Sequence, residues 1–394
     1  MTSEVCNRRR STTVLLIVAT FCVSIPLAAQ SRMKYIDPAL PTYQPQPVDK
    51  PSGRGYVMPD GSIRIVGFDD MAGMVDRWNA LFSKTHPAIR FTPALKGNGT
   101  AIPAITYDMT LFAPEGGGAT LLELLPYEKI YGSKKDPVAA LIIRVAHGSL
   151  TPGAKMSPLA IVTNPENKLP SITEGKVASI FSTGAGTGDI TSWAQLGAPE
   201  AAGGAKIIHP TGLYWDAYQR PEDEYMGEYM MYRHFGPFPG NVFSPHYEQY
   251  LTYNEVAKTV EHDRSAVGIL PLNHVGKELR VVPMPATDGK GMTTGSAEDI
   301  IADRYPYPRD LYLYIRREPD TPLDPLVAEY VKLVLSKEGQ QAVAMDSKGY
   351  LPLNAHAVQL ELDRLDRAKT WAPRSKQGPK LNFPFPSPEP LGNE

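Results

Sequence analysis

The sequence predicts an α/β fold, with mostly parallel sheets carrying helices on their faces. Three observations predict it. From Gly61 onward, short branched strands alternate with turns and amphipathic helices. The runs Val138–Val145 and Leu159–Thr163 are continuously apolar, as central strands are. The stretch Tyr305–Leu353 then reads as a strand followed by helices.

Taken in order, residues 31–60 are Pro-rich and polar and read as a linker. Ile63, Ile65 and Val66 form a strand, and Met74, Trp78, Leu81 and Phe82 line one face of a helix over Met71–His86. Ile89 and Phe91 mark a second strand. Lys96-Gly97-Asn98-Gly99-Thr100 is a glycine turn, Ala101–Ile105 opens a helix, and Asp108, Met109 and Leu111 mark a third strand.

A second domain is expected over 156–304. Its helices fall at Ser171–Phe181, with Thr173 as cap, at Pro221–Arg233 and at Tyr253–His262. Its strands fall at Lys206–His209, Ala266–Leu272 and Val281–Met284. The Tyr305 strand returns to the first domain, so 61–155 and 305–360 form one lobe. Asp324 is placed to cap the next helix, with Pro325 at its first position, where a missing N–H costs nothing. Residues 361–394 read as a Pro-rich tail. Two connections between lobes make a hinge, and closure around a ligand is the expected motion.

Composition narrows the function. At 42% hydrophobic and 21% charged, the 394-residue chain is ordinary globular material. A net charge of −2 offers no basic footprint for nucleic acid. Residues 1–30 resemble a secretory signal peptide: Arg8–Arg10 supply the positive start, Val14–Leu27 a short apolar region, and Ala28 and Ala29 small residues for cleavage. The two cysteines, Cys6 and Cys22, both lie there. The exported protein is therefore expected to have no disulfide, no Cys-ligated zinc and no cysteine nucleophile.

The Tyr-Pro-x-x-Arg-x-Leu-Tyr-Leu-Tyr strand from Tyr305, the Pro-Leu-Asp-Pro helix start, the Val-Leu-Ser-Lys-Glu-Gly-Gln run and the closing Gly-Tyr-Leu-Pro-Leu carry a resemblance. Together they resemble the phosphate-type solute-binding proteins of bacterial ABC transporters. The resemblance spans roughly 61–355. It implies a type II periplasmic-binding-protein fold with two hinge crossovers and a small solute, phosphate or a related anion, in the cleft. It also implies an ABC permease as partner, a periplasmic location, a monomer, no cofactor and no catalysis.

In such sheets ligands sit beyond the carboxyl ends of the strands. Three first-lobe loops end there: Phe68–Ala72, Gly97–Thr100 and Thr110–Glu115. Anion sites of this kind use helix N-terminal N–H groups, hydroxyls and often an arginine. The candidates are Phe68, Asp69, Asp70, Gly97, Asn98, Gly99 and Thr100, with Thr211, Tyr214 and Trp215 in the second lobe. The bland reading of the glycine turn is an ordinary strand–helix connection. That of the aromatics is core filling.

Departures from the family's pattern matter. Asp70 stands where the family offers a hydroxyl or small residue; Phe112-Ala113-Pro114 replaces a serine-bearing loop; and no Ser-Gly-Thr follows the Ile207-Ile208-His209 strand. An unpaired carboxylate facing a buried anion is costly. Tyr214, Trp215 and Tyr218 suggest instead an aromatic cage for a neutral or cationic ligand. A divergent sensor or scaffold, with such a ligand or none, is the alternative. No histidine pair has zinc-helix spacing, so no metal is expected, and no G-x-S-x-G elbow is present.

Overall fold

The computed structural model describes residues 32–119, 121–131, 140–184, 188–215, 219–235, 242–318 and 321–369. The expected signal peptide, Tyr218 and the segment from residue 370 lie outside them.

In the first lobe, β1 (Ile63–Gly67) leads through α1 (Ala72–Thr85) to β2 (Phe91–Leu95), and the two strands pair in parallel. Next come α2 (Ala101–Thr106), β3 (Ala113–Gly116), α3 (Leu121–Tyr131) and β4 (Leu141–Ser149). Trp78 and Phe82 on α1 are fully buried, as their spacing predicts.

The chain crosses to the second lobe after β4. There lie β5 (Leu159–Thr163), α4 (Glu174–Phe181), β6 (His209–Leu213), α5 (Met226–Arg233), β7 (Glu248–Tyr250), α6 (Tyr253–His262), β8 (Ala266–Pro271), β9 (Arg280–Val281) and α7 (Ala297–Ile301). The sheet order is β9-β5-β8-β6-β7. Strand β6 runs parallel to β8 and β7, whereas β5 runs antiparallel to β8. Thr173 caps α4 through Lys176 N–H, and Thr252 with Glu255 makes a capping box on α6.

The return strand β10 (Leu311–Ile315) enters between β3 and β4, antiparallel to both. Every residue of it is buried, which is why Leu-Tyr-Leu-Tyr-Ile shows no polar alternation. Helix α8 (Pro325–Val334) starts on the Asp324 cap, whose carboxylate accepts Leu326 N–H at 2.9 Å. Helix α9 (Lys337–Ala344), β11 (Tyr350–Leu351) and α10 (Ala355–Lys369) complete the lobe. Each lobe has its own apolar core.

Four expectations change. The first lobe's four-stranded sheet, expected mostly parallel, pairs antiparallel throughout, because the return strand runs against both β3 and β4 and β11 against β4. Residues from 361, expected as tail, remain helical to Lys369, because Leu365 and Ala368 are buried. Arg364 Nη1 donates to Ile142 O at 3.3 Å, so α10 covers β4 where β11, which pairs at His147 and Ser149, does not reach. The third strand lies at 113–116, not 108–111. Asp108 instead takes a left-handed turn (φ 57°) and accepts Gly55 N–H at 2.7 Å. Residues 32–60 form an arm on the first lobe, held by buried Leu40 and Tyr56; such scattered anchors give no periodic signal. Among the described residues no helix is long and apolar enough to cross a membrane.

Candidate ligand-binding site between the lobes

Strands β1 and β3 end side by side, where Phe68 N–H donates to Pro114 O at 2.8 Å. The Gly97–Thr100 turn lies beside them because Gly67 O accepts Lys96 and Gly97 N–H. Asn98 is buried. Its Nδ2 donates to Gly116 O at 2.8 Å and its Oδ1 accepts Gly116 N–H at 3.0 Å. Asn98 therefore fixes the end of β3.

That end reads Glu115-Gly116-Gly117-Gly118. Gly117 and Gly118 take φ of 76° and 86°, a region that favours glycine. A β-carbon at Gly118 would collide with Arg233 Nη2 of the second lobe, and one at Gly99 would lie 3.5 Å from the Tyr225 hydroxyl. The cleft is thus closed at this point, with backbone against guanidinium.

Two arginines converge on this loop from different segments. Arg233 ends α5, where the helix dipole favours a cation. Arg309 lies on the crossover just before β10 and is 1% exposed. The Tyr229 ring sits between them, its centroid 5.3 Å from Arg233 Cζ and 5.8 Å from Arg309 Cζ. Tyr229 Oη donates to Pro308 O. Arg309 Nη1 donates to Asp223 Oδ2 at 2.6 Å, an oxygen that also accepts the Tyr253 hydroxyl at 2.8 Å. Burial pushes the Asp223 carboxyl up, but Arg309 and the hydrogen bonds outweigh it and leave it below its ordinary value. Arg309 Nε is buried without a partner, and a β-carbon at Gly117 would lie 3.9 Å from it. Burial lowers the pKa of Arg233, and Tyr312, Tyr229 and Tyr314 more than restore it.

Glu115 is 1% exposed, and its Oε2 has no hydrogen-bond partner. It stands opposite Tyr312 on β10, which in turn stands opposite Arg144 on β4. Burial, then the charge of Glu123, pushes its carboxyl well above the usual glutamate value. A neutral Glu115 presents an O–H donor; an ionised one accepts the proton of a monoprotonated oxyanion.

The residues singled out from sequence fall in several places. Gly97–Thr100 reaches the cleft, but Asn98 serves as a clamp, and Thr100 Oγ1 donates to Gly97 O at 2.8 Å. Phe68 is core, lying under Gly116. Asp69 pairs at the surface with Lys155 at 2.7 Å. Asp70 is buried and fully engaged: Oδ1 pairs with Lys348 Nζ at 2.7 Å, and Oδ2 accepts Tyr350 Oη at 2.6 Å and Lys155 N–H at 2.9 Å. It is no bare carboxylate facing a ligand. Thr211 is buried within β6, and its Oγ1 lacks a partner. Tyr214 N–H donates to Tyr250 O at 2.9 Å. Trp215 is half exposed, stacked on Phe243, and abuts Gly227, which lies on the opposite side of α5 from Tyr229. Among the described residues, the ring beside both arginines is that of Tyr229 on α5, not one from this loop.

Glu115, Gly116–Gly118, Asp223, Arg233 and Arg309 were not singled out. Signals existed: Glu115 closed the third candidate loop, and Arg309 is the arginine of the Tyr-Pro-x-x-Arg motif. Among the described residues no cluster of three or more His, Cys, Asp or Glu could hold a metal.

Two cored lobes, joined by two crossovers and meeting at a closed cleft, make this a solute-binding protein fold of the type II periplasmic class. PstS of Borrelia burgdorferi shares it, at a TM-score of 0.50 and 18% identity over 74% of this chain and 98% of that one. The chain is similar to a phosphate-type protein: it is 27% identical over 353 residues to the phosphate-binding protein PstS of Pseudomonas aeruginosa, covering 89% of this chain and 98% of that protein. An ABC-type phosphate transport receptor from Vibrio cholerae aligns at 18% identity and a TM-score of 0.46, over 74% of this chain and 99% of that one. No protein-family model matches the chain.

Proposed function

We propose that this protein captures phosphate, or a related compact oxyanion, between its lobes and hands it to an ABC permease from the periplasm. The observation that carries the reading is the meeting of Arg233 and Arg309 on the Gly116–Gly118 loop. Guanidinium forks and glycine N–H groups are matched to a tetrahedral oxyanion. Arg309 is buried and Arg233 partly so, which raises the worth of each charge-assisted hydrogen bond. The arginines stand in for the Ser-Gly-Thr that the second lobe lacks, and Glu115 supplies a proton donor or acceptor. The relatives' printed names support phosphate as the first ligand to test. The leader with Arg8–Arg10 and Val14–Leu27 supports export.

Calorimetry on protein stripped of bound solute tests this. Phosphate is expected to bind saturably and to raise the unfolding midpoint. At about a hundred times Kd the ligand stabilises by about 2.7 kcal/mol. Arg233→Gln is expected to weaken binding at least tenfold, the scale of a charge-assisted hydrogen bond worth about 1.5–3 kcal/mol. Absence of both heat and a midpoint shift with millimolar phosphate, arsenate and sulfate would sink the reading.

A further inference from the structure

We propose that the head of the N-terminal arm, Arg32–Ile36, is a latch that holds the two lobes in their closed arrangement. Tyr35 packs against the second lobe's core, whereas Ile36, the next residue, packs against that of the first. The arm therefore crosses between lobes within one peptide unit, beside neither covalent crossover in sequence.

Each side of the crossing is bonded. Tyr35 Oη donates to Glu298 Oε1 on α7 of the second lobe at 3.2 Å. On the first lobe, Arg32 Nε donates to Ala344 O at 3.1 Å, at the last residue of α9, and its Nη2 donates to Asp346 O, two residues beyond. Basic side chains at helix C-terminal carbonyls are favoured sites. Asp37 Oδ2 accepts Ala355 N–H at 3.0 Å, Pro41 O accepts Lys337 N–H at 2.7 Å, and Glu329 Oε1 accepts Tyr43 Oη and Gln46 N–H. The arm behind the head thus belongs rigidly to the first lobe. Asn354 Nδ2 spans the same gap to Ile301 O at 2.6 Å.

These contacts exist while Gly118 meets Arg233 and Gly99 meets Tyr225 across the cleft. A hydrogen bond fades within about 0.5 Å of stretch beyond its 3.2 Å limit. With Tyr35 tethered one residue from its first-lobe anchors, rotation of α7 away breaks its bond and uncovers its ring. The latch therefore adds to the closed state and slows opening.

The test uses the full chain with Cys6→Ser and Cys22→Ser, and spin labels at Lys84→Cys and Lys258→Cys, exposed positions on α1 and α6. Without ligand, Tyr35→Ala is expected to move the interlobe distance distribution toward longer values, and Tyr35→Phe less so. Glu298→Ala, acting from the other lobe, gives the same direction should Tyr35→Ala fold poorly. Tyr43→Phe, which loses a bond within the first lobe only, leaves the distribution in place. With inorganic phosphate, dissociation from Tyr35→Ala is expected to be several-fold faster. Only this phosphate arm rests on the proposed function: a distance shift without phosphate binding keeps the latch and removes the ligand. Superimposable distributions for parent, Tyr35→Ala and Glu298→Ala would overturn the latch, as would an equal shift in Tyr43→Phe.

Discussion

The carboxamide of Asn98 bonds both backbone groups of Gly116, donating to its oxygen at 2.8 Å and accepting its N–H at 3.0 Å. A side chain of one strand–helix turn thereby sets the position of the next strand's glycine end. Asn98→Ala leaves both groups buried and unpaired, at about 1–3 kcal/mol each before water enters. Denaturant unfolding is expected to show a loss of about 2 kcal/mol, and calorimetry a weaker grip on phosphate. Unchanged affinity in a folded Asn98→Ala would separate this clamp from the site.

Arg309 and Asp223 are a buried pair at 2.6 Å. Removing one partner strands the other, at about 3–5 kcal/mol. Arg309→Met and Asp223→Leu should each destabilise on that scale, and the double variant by less than either. Urea midpoints check the stability. Phosphate binding should be lost in the Arg309→Met single and the double alike, because the guanidinium is gone from both.

Stability should fall as pH rises above 4.5, through Glu115, and as it falls below 3.8, through Asp223 and Asp310. Glu115, raised above its ordinary 4.5 by burial, contributes stability that is full below that value and is lost as pH rises through its folded value. Asp223 and Asp310 run the other way. Burial opposes ionisation of Asp310, but His147 and Arg144 outweigh it, so both aspartates sit below their ordinary 3.8. Their contribution is present above 3.8 and lost as pH falls through their folded values. Glu115→Gln should flatten the decline above pH 4.5 and leave the acid limb unchanged. A decline of equal slope in Glu115→Gln, measured by denaturation across pH, would contradict this.

Trp215 is half exposed and turned away from the arginines. Trp215→Ala should cost no more than about 0.5 kcal/mol, the range of surface substitutions. Phosphate affinity should stay within about twofold. A larger loss of affinity would return the aromatic loop to the site.

Much of the fold was legible because local signals agreed with the packing. Asp324-Pro325 starts a helix, Thr173 caps another, and the all-buried Leu311–Ile315 strand is apolar and aromatic throughout. Strand β3 was displaced in the reading because it is Ala-Pro-Glu-Gly. Proline and glycine weaken a strand signal, and only its pairing with β10 overrides them. That displacement took Glu115 and Gly116–Gly118 out of view. Arg309 was read as part of a fold motif, and Arg233 as the end of a helix; only tertiary structure brings them to one loop. The Pro-rich arm was read by composition, which reports stiffness but not the lone Leu40 and Tyr56 that tie it down.

The C-terminal helix lends Arg364 to a backbone oxygen of β4, that of Ile142, beyond the reach of β11. Left bare, the outer side of a long buried strand is a template on which a second copy of the chain can add a strand of its own. The helix and its Arg364 cover that edge without offering a new row of N–H and C=O groups. The sheet is finished at that border, and the lobes can rock against each other without exposing a surface that recruits neighbours.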